Sequence, residues 1–319
     1  MSSAPQSTAL HASRWRRRLI NTVFLVNPAS DNGATGRRWP QLANVAASRG
    51  LTGDTLFSER PGHLGQLARD AAAAGAELLV VVGGDGSVNE VVNGVAERNV
   101  EIVVIARGTG WDFVRTYQIP RRIEDAVDVA LNGETREIDL GRALYRSWGG
   151  ADEVRWFANV ASVGMSGAIA QRANETTKAL GGRMSYLLAT LSVFARWKVG
   201  DVRVSVDENV RGGRMHDVIV ANGRYLGGGM MICPEAEPDD GLFDVLLIGD
   251  LTKRDLLMTL PKTYRGKHLP HPKAELLRGA TVTVDAPSPL PVELDGEQPG
   301  TTPVRFELVP GALRIRVPR

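Results

Sequence analysis

Residues 78–94 read LLVVVGGDGSVNEVVNG, an apolar strand that feeds a glycine-lined loop holding one carboxylate and then starts a helix. Gly83, Gly84 and Gly86 lack a Cβ, so their backbone can take positive φ and approach a polyphosphate without steric conflict. Asp85 is fixed within that loop. Ser87 and Glu90 have the S-x-x-E spacing of a capping box, which predicts a helix start with free N–H groups and a positive dipole end beside the loop. The alternative is an ordinary tight strand-to-helix turn, but two glycines, an Asp, a third glycine and a capped helix together favour a nucleotide-phosphate cradle.

Phosphoryl transfer needs charge neutralisation and alignment more than covalent help, so acidic residues should gather around Mg²⁺ beside the phosphates. Glycine-containing loops carry several. They are Asp85 in GGDG, Asp112 in GTGWDF, Asp239 and Asp240 in PEAEPDDGLFD, and Asp295 in LDGE. Any one of these alone reads equally as a turn aspartate.

The elements that must position these loops fall into two textures. Between Thr22 and Asp139, β-branched runs (VFLV at 23–26, LLVVV at 78–82, IVVIA at 102–106) alternate with helical stretches, as in a parallel sheet covered on both faces. Leu64, Leu67, Ala68, Ala71 and Ala72 recur at helical spacing, and Gly75 stops that helix. Ligands of such sheets sit beyond the carboxyl ends of the strands, so the loops 27–33, 83–86 and 108–112 should converge. After about Gly141 the strands alternate instead (VRVSV at 202–206, DVIVAN at 217–222, FDVLLIGD at 243–250, VRFELV at 304–309). Two helices are expected there, over 183–197 and 252–260, the second with Thr252 and Asp255 as an N-cap and an acidic first turn. The fold expected is α/β, with an N-terminal parallel-sheet nucleotide-binding domain over 19–141 and a C-terminal antiparallel β-sandwich domain over 142–319. A flexible basic tail, 1–18, precedes them.

Composition excludes several classes. The chain has 319 residues, 43% apolar and 23% charged, as in a soluble globular protein, and no stretch is apolar enough to span a bilayer. Cys233 is the only cysteine, so no intrachain disulfide can form, which fits a reduced cytosolic setting. A net charge of +2 is too small to imply a nucleic-acid partner. The tail places Arg14, Arg16, Arg17 and Arg18 around Trp15, a cluster that could rest on an anionic membrane or simply be solvated.

The same motifs carry a family resemblance over nearly the whole chain. NPASDNG at 27–33, GGDGSVNEVVNG at 83–94, GTGWDF at 108–113, NVASVG at 159–164, the segment 221–245 and VELDGE at 292–297 resemble the diacylglycerol kinase catalytic-domain family, which includes YegS-like proteins and sphingosine kinases. GGDG alone is shared with NAD kinases. The resemblance implies an ATP-dependent lipid kinase, cytoplasmic and peripheral at the inner membrane face, with its site between the two domains. It implies that Gly83, Gly84, Asp85 and Gly86 contact nucleotide phosphates, with Asn27, Ser30 and Thr109 nearby, that Asp295 is the general base, and that Asp85, Asp112 and Asp240 organise Mg²⁺. Trp111 departs from the pattern, which usually has Asn there, and Ser87 stands for the more usual Thr. The rival readings are a soluble NAD kinase-like enzyme and a non-catalytic nucleotide- or lipid-binding module.

Three further features read as structural. His268 and His271 have H-x-x-H spacing, but Pro270 and Pro272 disfavour the helix that would align them for a metal. Cys233, in an apolar run, reads as a packed inert thiol. Tyr186, Leu187, Leu188, Leu191 and Phe194 form a helical stripe that suits the core, or an acyl chain.

Overall fold

The computed structural model describes residues 21–108, 110–175 and 182–319. Thr109, the basic tail and the side chains of Tyr186 and Leu187 lie outside the described residues.

The N-terminal half runs β1 (Thr22–Val26), α1 (Ala34–Ser48), β2 (Asp54–Phe57), α2 (His63–Ala73), β3 (Leu78–Gly83), α3 (Asp85–Val95), β4 (Glu101–Ala106), α4 (Asp112–Thr116) and α5 (Ile123–Asn132). β1 pairs with β2 and β3, and β3 with β4, all in parallel. Each central strand is buried on both faces, so its sequence is a continuous apolar run. In β3, Leu79 and Val81 face a core built with α2 and α3, while Leu78, Val80 and Val82 face one built with α1 and α5.

The chain continues through β5 (Glu134–Ser147), β6 (Asp152–Phe157), β7 (Val160–Gly164), α6 (Met165–Glu175), α7 (Gly182–Arg196), β8 (Gly200–Val206), β9 (Asn209–Ala221), β10 (Tyr225–Leu226), β11 (Met230–Met231), β12 (Phe243–Gly249), α8 (Lys253–Thr263), β13 (Ala274–Gly279), β14 (Thr281–Asp285), β15 (Pro291–Leu294) and β16 (Glu297–Val317). Here the pairings are antiparallel, and the ladder closes on itself: β7 pairs with β15, β15 with β16, β16 with β14, β14 with β8, β8 with β9, and β9 with β7. Val218 and Val220 of β9 point to the enclosed core, where Phe157 stacks on Phe243 at 5.6 Å and meets Phe306 edge-on. Ile219 and Ala221 point the other way, beneath the β10–β11 hairpin. The helix expected over 252–260 is α8, and Thr252 and Asp255 make a complete capping box.

The halves share strands. β16 is 21 residues long, and its last stretch pairs in parallel with β4 while β5 runs antiparallel along it. Gly141, where the texture changes, therefore sits inside β5. A Cβ there would overlap the Phe157 ring.

Two buried carboxyls tie the second half together. Asp217 accepts from the Ser166 amide (2.9 Å) and hydroxyl at the start of α6, and Glu293 accepts from the Ser162 hydroxyl (2.8 Å). Burial pushes each up to about 8. The folded state thus holds more protons than the unfolded chain between about pH 4 and pH 8, and stability is lost as pH rises through that window. Asp217→Asn should flatten the loss: its melting temperature relative to the parent should climb steadily from pH 5 to pH 8. A constant difference across that range would show that Asp217 is ionised in the folded protein.

Candidate active site

The three loops at the carboxyl ends of β1, β3 and β4 do converge. The Asn27 amide donates to Ser87 Oγ (3.0 Å), Ser30 Oγ donates to the Asn27 carbonyl (2.9 Å) and shares a hydrogen bond with the Thr35 hydroxyl (2.7 Å), and Arg107 meets Asp31 at 3.2 Å. The glycines serve this convergence differently from expectation. Gly83, Gly84 and Gly86 are all outside the positive-φ region. At Gly83 and Gly108 it is close approach that demands glycine, while Gly84 and Gly86 have room for a Cβ. A Cβ on Gly83 would overlap the Ser87 side chain, and one on Gly108 would lie 3.0 Å from the Gly84 Cα.

The capping box expected at Ser87 and Glu90 is not formed. Gly84 is the N-cap of α3 and no side chain caps it. Ser87 is turned to Asn27, and Glu90 Oε2 accepts from the Leu64 amide (3.0 Å) at the start of α2. Tertiary partners have claimed both side chains, which leaves the first turn of α3 free of any side-chain cap.

Asp85 faces the GTGWDF loop. Its Oδ2 accepts from the Trp111 amide (2.8 Å) and its Oδ1 from the Phe113 amide (3.1 Å), so it holds the start of α4. Trp111 sits at φ 69, a region favourable to the Asn usual in this pattern and strained for Trp. Its indole N–H donates to the Gly108 carbonyl, and the Arg121 guanidinium lies 4.0 Å over its ring. Next to it, Asp112 is buried and accepts from the Gly228 amide (2.8 Å) and Arg115 (3.0 Å). Burial, and then the neighbouring Asp85 carboxylate, push Asp112 up to about 6. Asp85 is raised by burial too, with the Phe113 and Trp111 amides opposing.

Asp295 lies where the halves meet. Its Oδ2 accepts from the Asn89 side chain (2.9 Å) on α3 and the Ala158 amide (2.8 Å), and its Oδ1 from the Asn159 and Val160 amides (3.0 Å each). Burial raises its pKa while these four donors hold it down. Asn89 is itself satisfied: its carbonyl oxygen accepts from Arg155 (2.8 Å), and its amide also reaches the Trp156 carbonyl. Glu297 of the same turn comes alongside Gly86. GGDG and LDGE are therefore direct neighbours, 206 residues apart in sequence at the Asn89–Asp295 bond.

The remaining two aspartates stand elsewhere. Asp239 is gripped by both nitrogens of a bidentate Arg136 (2.7 and 2.6 Å), and Asp240 is paired with Arg278. Among the described residues no group of three or more His, Cys, Asp or Glu is placed to hold a metal ion. Asp239 and Asp240 thus do not join Asp85 and Asp112, and a metal expectation on them does not fit their neutralised surroundings. A cation carried in by a phosphate substrate needs only one or two carboxylates, and the crowded Asp85–Asp112 pair fits that demand. His268 is buried, its Nε2 on the Ile232 carbonyl (2.9 Å), and burial pushes the Cys233 thiol up, as for a packed residue.

Sequence reasoning missed Asn89, Arg107, Arg115 and Asn159. Asn89 had a signal: it follows Asp85 by four residues, one helical turn along the same face.

The two halves of the chain are matched by known proteins. Residues 21–143 match the family model of the diacylglycerol kinase catalytic domain, and residues 159–317 match that of the YegS C-terminal NAD kinase beta sandwich-like domain. A diacylglycerol kinase of Mycobacterium tuberculosis (strain CDC 1551 / Oshkosh) is 30% identical over 97% of this chain and 99% of its own. One from Staphylococcus carnosus (strain TM300) is 27% identical, covering 93% and 94%. The crystal structure of a diacylglycerol kinase from Bacillus anthracis (strain Sterne) shares the fold with a TM-score of 0.70 at 21% identity, covering 93% of this chain and 97% of that one. The chain belongs to the YegS-like diacylglycerol kinase family.

The Asp85–GTGWDF clasp makes a steric prediction. A Cβ on Gly110 would overlap Asp85 Oδ2, whereas one on Gly84 would meet nothing closer than 3.4 Å. Gly110→Ala should cost about 1–3 kcal/mol of stability in denaturant melts. Gly84→Ala should cost clearly less, and the reverse order would remove the clasp from the account.

Proposed function

We propose that this kinase transfers the γ-phosphoryl group of ATP to a free hydroxyl of diacylglycerol or a related lipid, working in the cytosol at the inner membrane face. The observation that carries the reading is the Asn89–Asp295 hydrogen bond of 2.9 Å, which sets LDGE against the helix that begins at GGDG. An acceptor hydroxyl beside Asp295 then lies next to phosphates received at Gly83–Gly86 and the uncapped start of α3. Asn27, Ser30 and Ser87 border that space, and Arg107 and Arg115 supply positive charge to it.

In the reaction the acceptor oxygen forms a bond to the γ-phosphorus, the bond to the bridging oxygen of ADP breaks, and the hydroxyl proton passes to Asp295. All four acceptor sites of that carboxylate are occupied, three by main-chain amides. Asn89 holds the one side-chain bond, so the arriving hydroxyl takes the place of Asn89 at Oδ2. A proton that leaves late suits a base of this kind. Mg²⁺, when bound, would neutralise charge on the phosphates, with Asp112 and its partner Asp85 beside it. Asp85 itself acts mainly by ordering the loop that carries Trp111 and Asp112.

A lipid acceptor is supported by a narrow apolar cavity of about 90 Å³ behind β9 and β12, room for part of an acyl chain, lined by Ile219, Leu226, Met230, Leu246, Leu256 and Leu260 among others. Leu226 and Met230 flank the glycine turn whose Gly228 amide bonds Asp112, so the apolar space and the acidic pair share one hairpin.

Purified protein with Mg²⁺-ATP and a panel of mixed-micelle lipids should yield a phosphorylated lipid. NAD belongs in the same panel, because the second domain resembles an NAD kinase domain. Phosphorylation of NAD alone would replace the lipid reading, and tight ATP binding without transfer to any acceptor would favour a binding module. Asp295→Asn should abolish turnover while nucleotide affinity stays within about threefold. Turnover retained in that variant removes the proton from Asp295.

A further inference from the structure

α8 is apolar on two faces, although a helix at a protein surface normally turns only one apolar stripe to the core. Leu256 and Leu260, four residues apart, line the cavity with Thr259 and Thr263. On the other side, Leu257 and Met258 are 63% and 57% exposed, and Pro261 is exposed as well. Isolated exposed leucines are common and mean little. Here two adjacent large apolar residues are ringed by cations. Lys253, Arg254 and Lys262 on the helix, with Arg265 and Lys267 just beyond it, are all exposed, and none is in an ion pair among the described residues. The single acid of the helix is already committed: Asp255 bonds Lys273 Nζ (2.9 Å) and the Thr252 amide (2.9 Å).

We propose that α8 docks flat on an anionic lipid bilayer, with Leu257 and Met258 entering the headgroup–acyl boundary and the five cations lying against lipid phosphates. Charge selects this occupant. Unpaired Lys and Arg around an apolar centre match an anionic membrane surface, to which each basic residue adds attraction, and the apolar pair adds burial that water cannot give. The position of the helix gives the docking a purpose. A helix with its side chains is about 10 Å thick, so that distance is all that separates the bilayer from the apolar cavity on the opposite face of α8. The inference rests on the lipid-acceptor reading for its purpose, while the docking itself can be measured without turnover.

The test is co-sedimentation of the full chain, without nucleotide, with phosphatidylglycerol–phosphatidylcholine vesicles and with vesicles of phosphatidylcholine alone. Partition is expected only with the anionic vesicles and should fall as salt is raised. L257D/M258D should lower it at least tenfold at an unchanged melting temperature. Lys262→Ala should lower it about fivefold, the effect of a single juxtamembrane charge. If the aspartate pair introduces misfolding, L257S/M258S asks the same question more gently. Undiminished partition of the folded variants overturns the proposal, as does equal binding to neutral vesicles. Loss of binding on replacing Arg16, Arg17 and Arg18 with alanine, with α8 variants unaffected, overturns it in favour of the tail. Phosphorylation of a short-chain, water-soluble diacylglycerol, followed in parallel, keeps the two readings apart. If docking through α8 holds while no lipid is phosphorylated, the kinase reading alone fails.

Discussion

One carboxylate sets the relation between the two halves of this protein. Asp295 accepts one hydrogen bond from α3 and three from the main chain at the β6–β7 junction, and its own amide donates to the Val160 carbonyl. Hydrogen bonds to a charged group contribute roughly 1.5–3 kcal/mol each, and losing one partner leaves the others facing a badly solvated charge. The residue proposed to receive the proton is thus also the residue that fixes the spacing between the GGDG loop and the second domain. Structure and chemistry cannot be separated at this position.

Beside it, the Asp85–Asp112 pair works in the opposite sense. Two carboxylates share a poorly hydrated space, and Asp112 is displaced toward neutrality although Arg115 and the Gly228 amide oppose that. Such a pair waits for positive charge. Arg107 is the converse, a cation whose buried Nε donor has no hydrogen-bond partner among the described residues.

Much of this was legible in the sequence where the determinant is local. β1, β3 and β4 are buried on both faces and so announce themselves as apolar runs, and the Thr252–Asp255 cap closes within four residues. β2 is a four-residue strand, DTLF, exposed at both ends, and carries no such run. Errors arose where the partner is remote. The capping-box reading of Ser87 and Glu90 was overridden by Asn27 and Leu64, and Gly83 answers to the Ser87 side chain rather than to a positive φ. Asp239 and Asp240 looked available because Arg136 and Arg278 lie 103 and 38 residues away. The juxtaposition of GGDG with LDGE was anticipated only through the family resemblance, because no local pattern encodes a contact across the whole chain.

The final strand has a consequence for how the protein is made. β4 finds one neighbour in β3, but its other edge is completed by Arg314 and Ile315 near the C-terminal end of β16. During synthesis the first half keeps an open, apolar sheet edge until β16 has left the ribosome. An unpaired edge of this kind is a template for pairing with other chains. The sheet of the N-terminal half is therefore completed only by a strand that follows the whole second half in sequence.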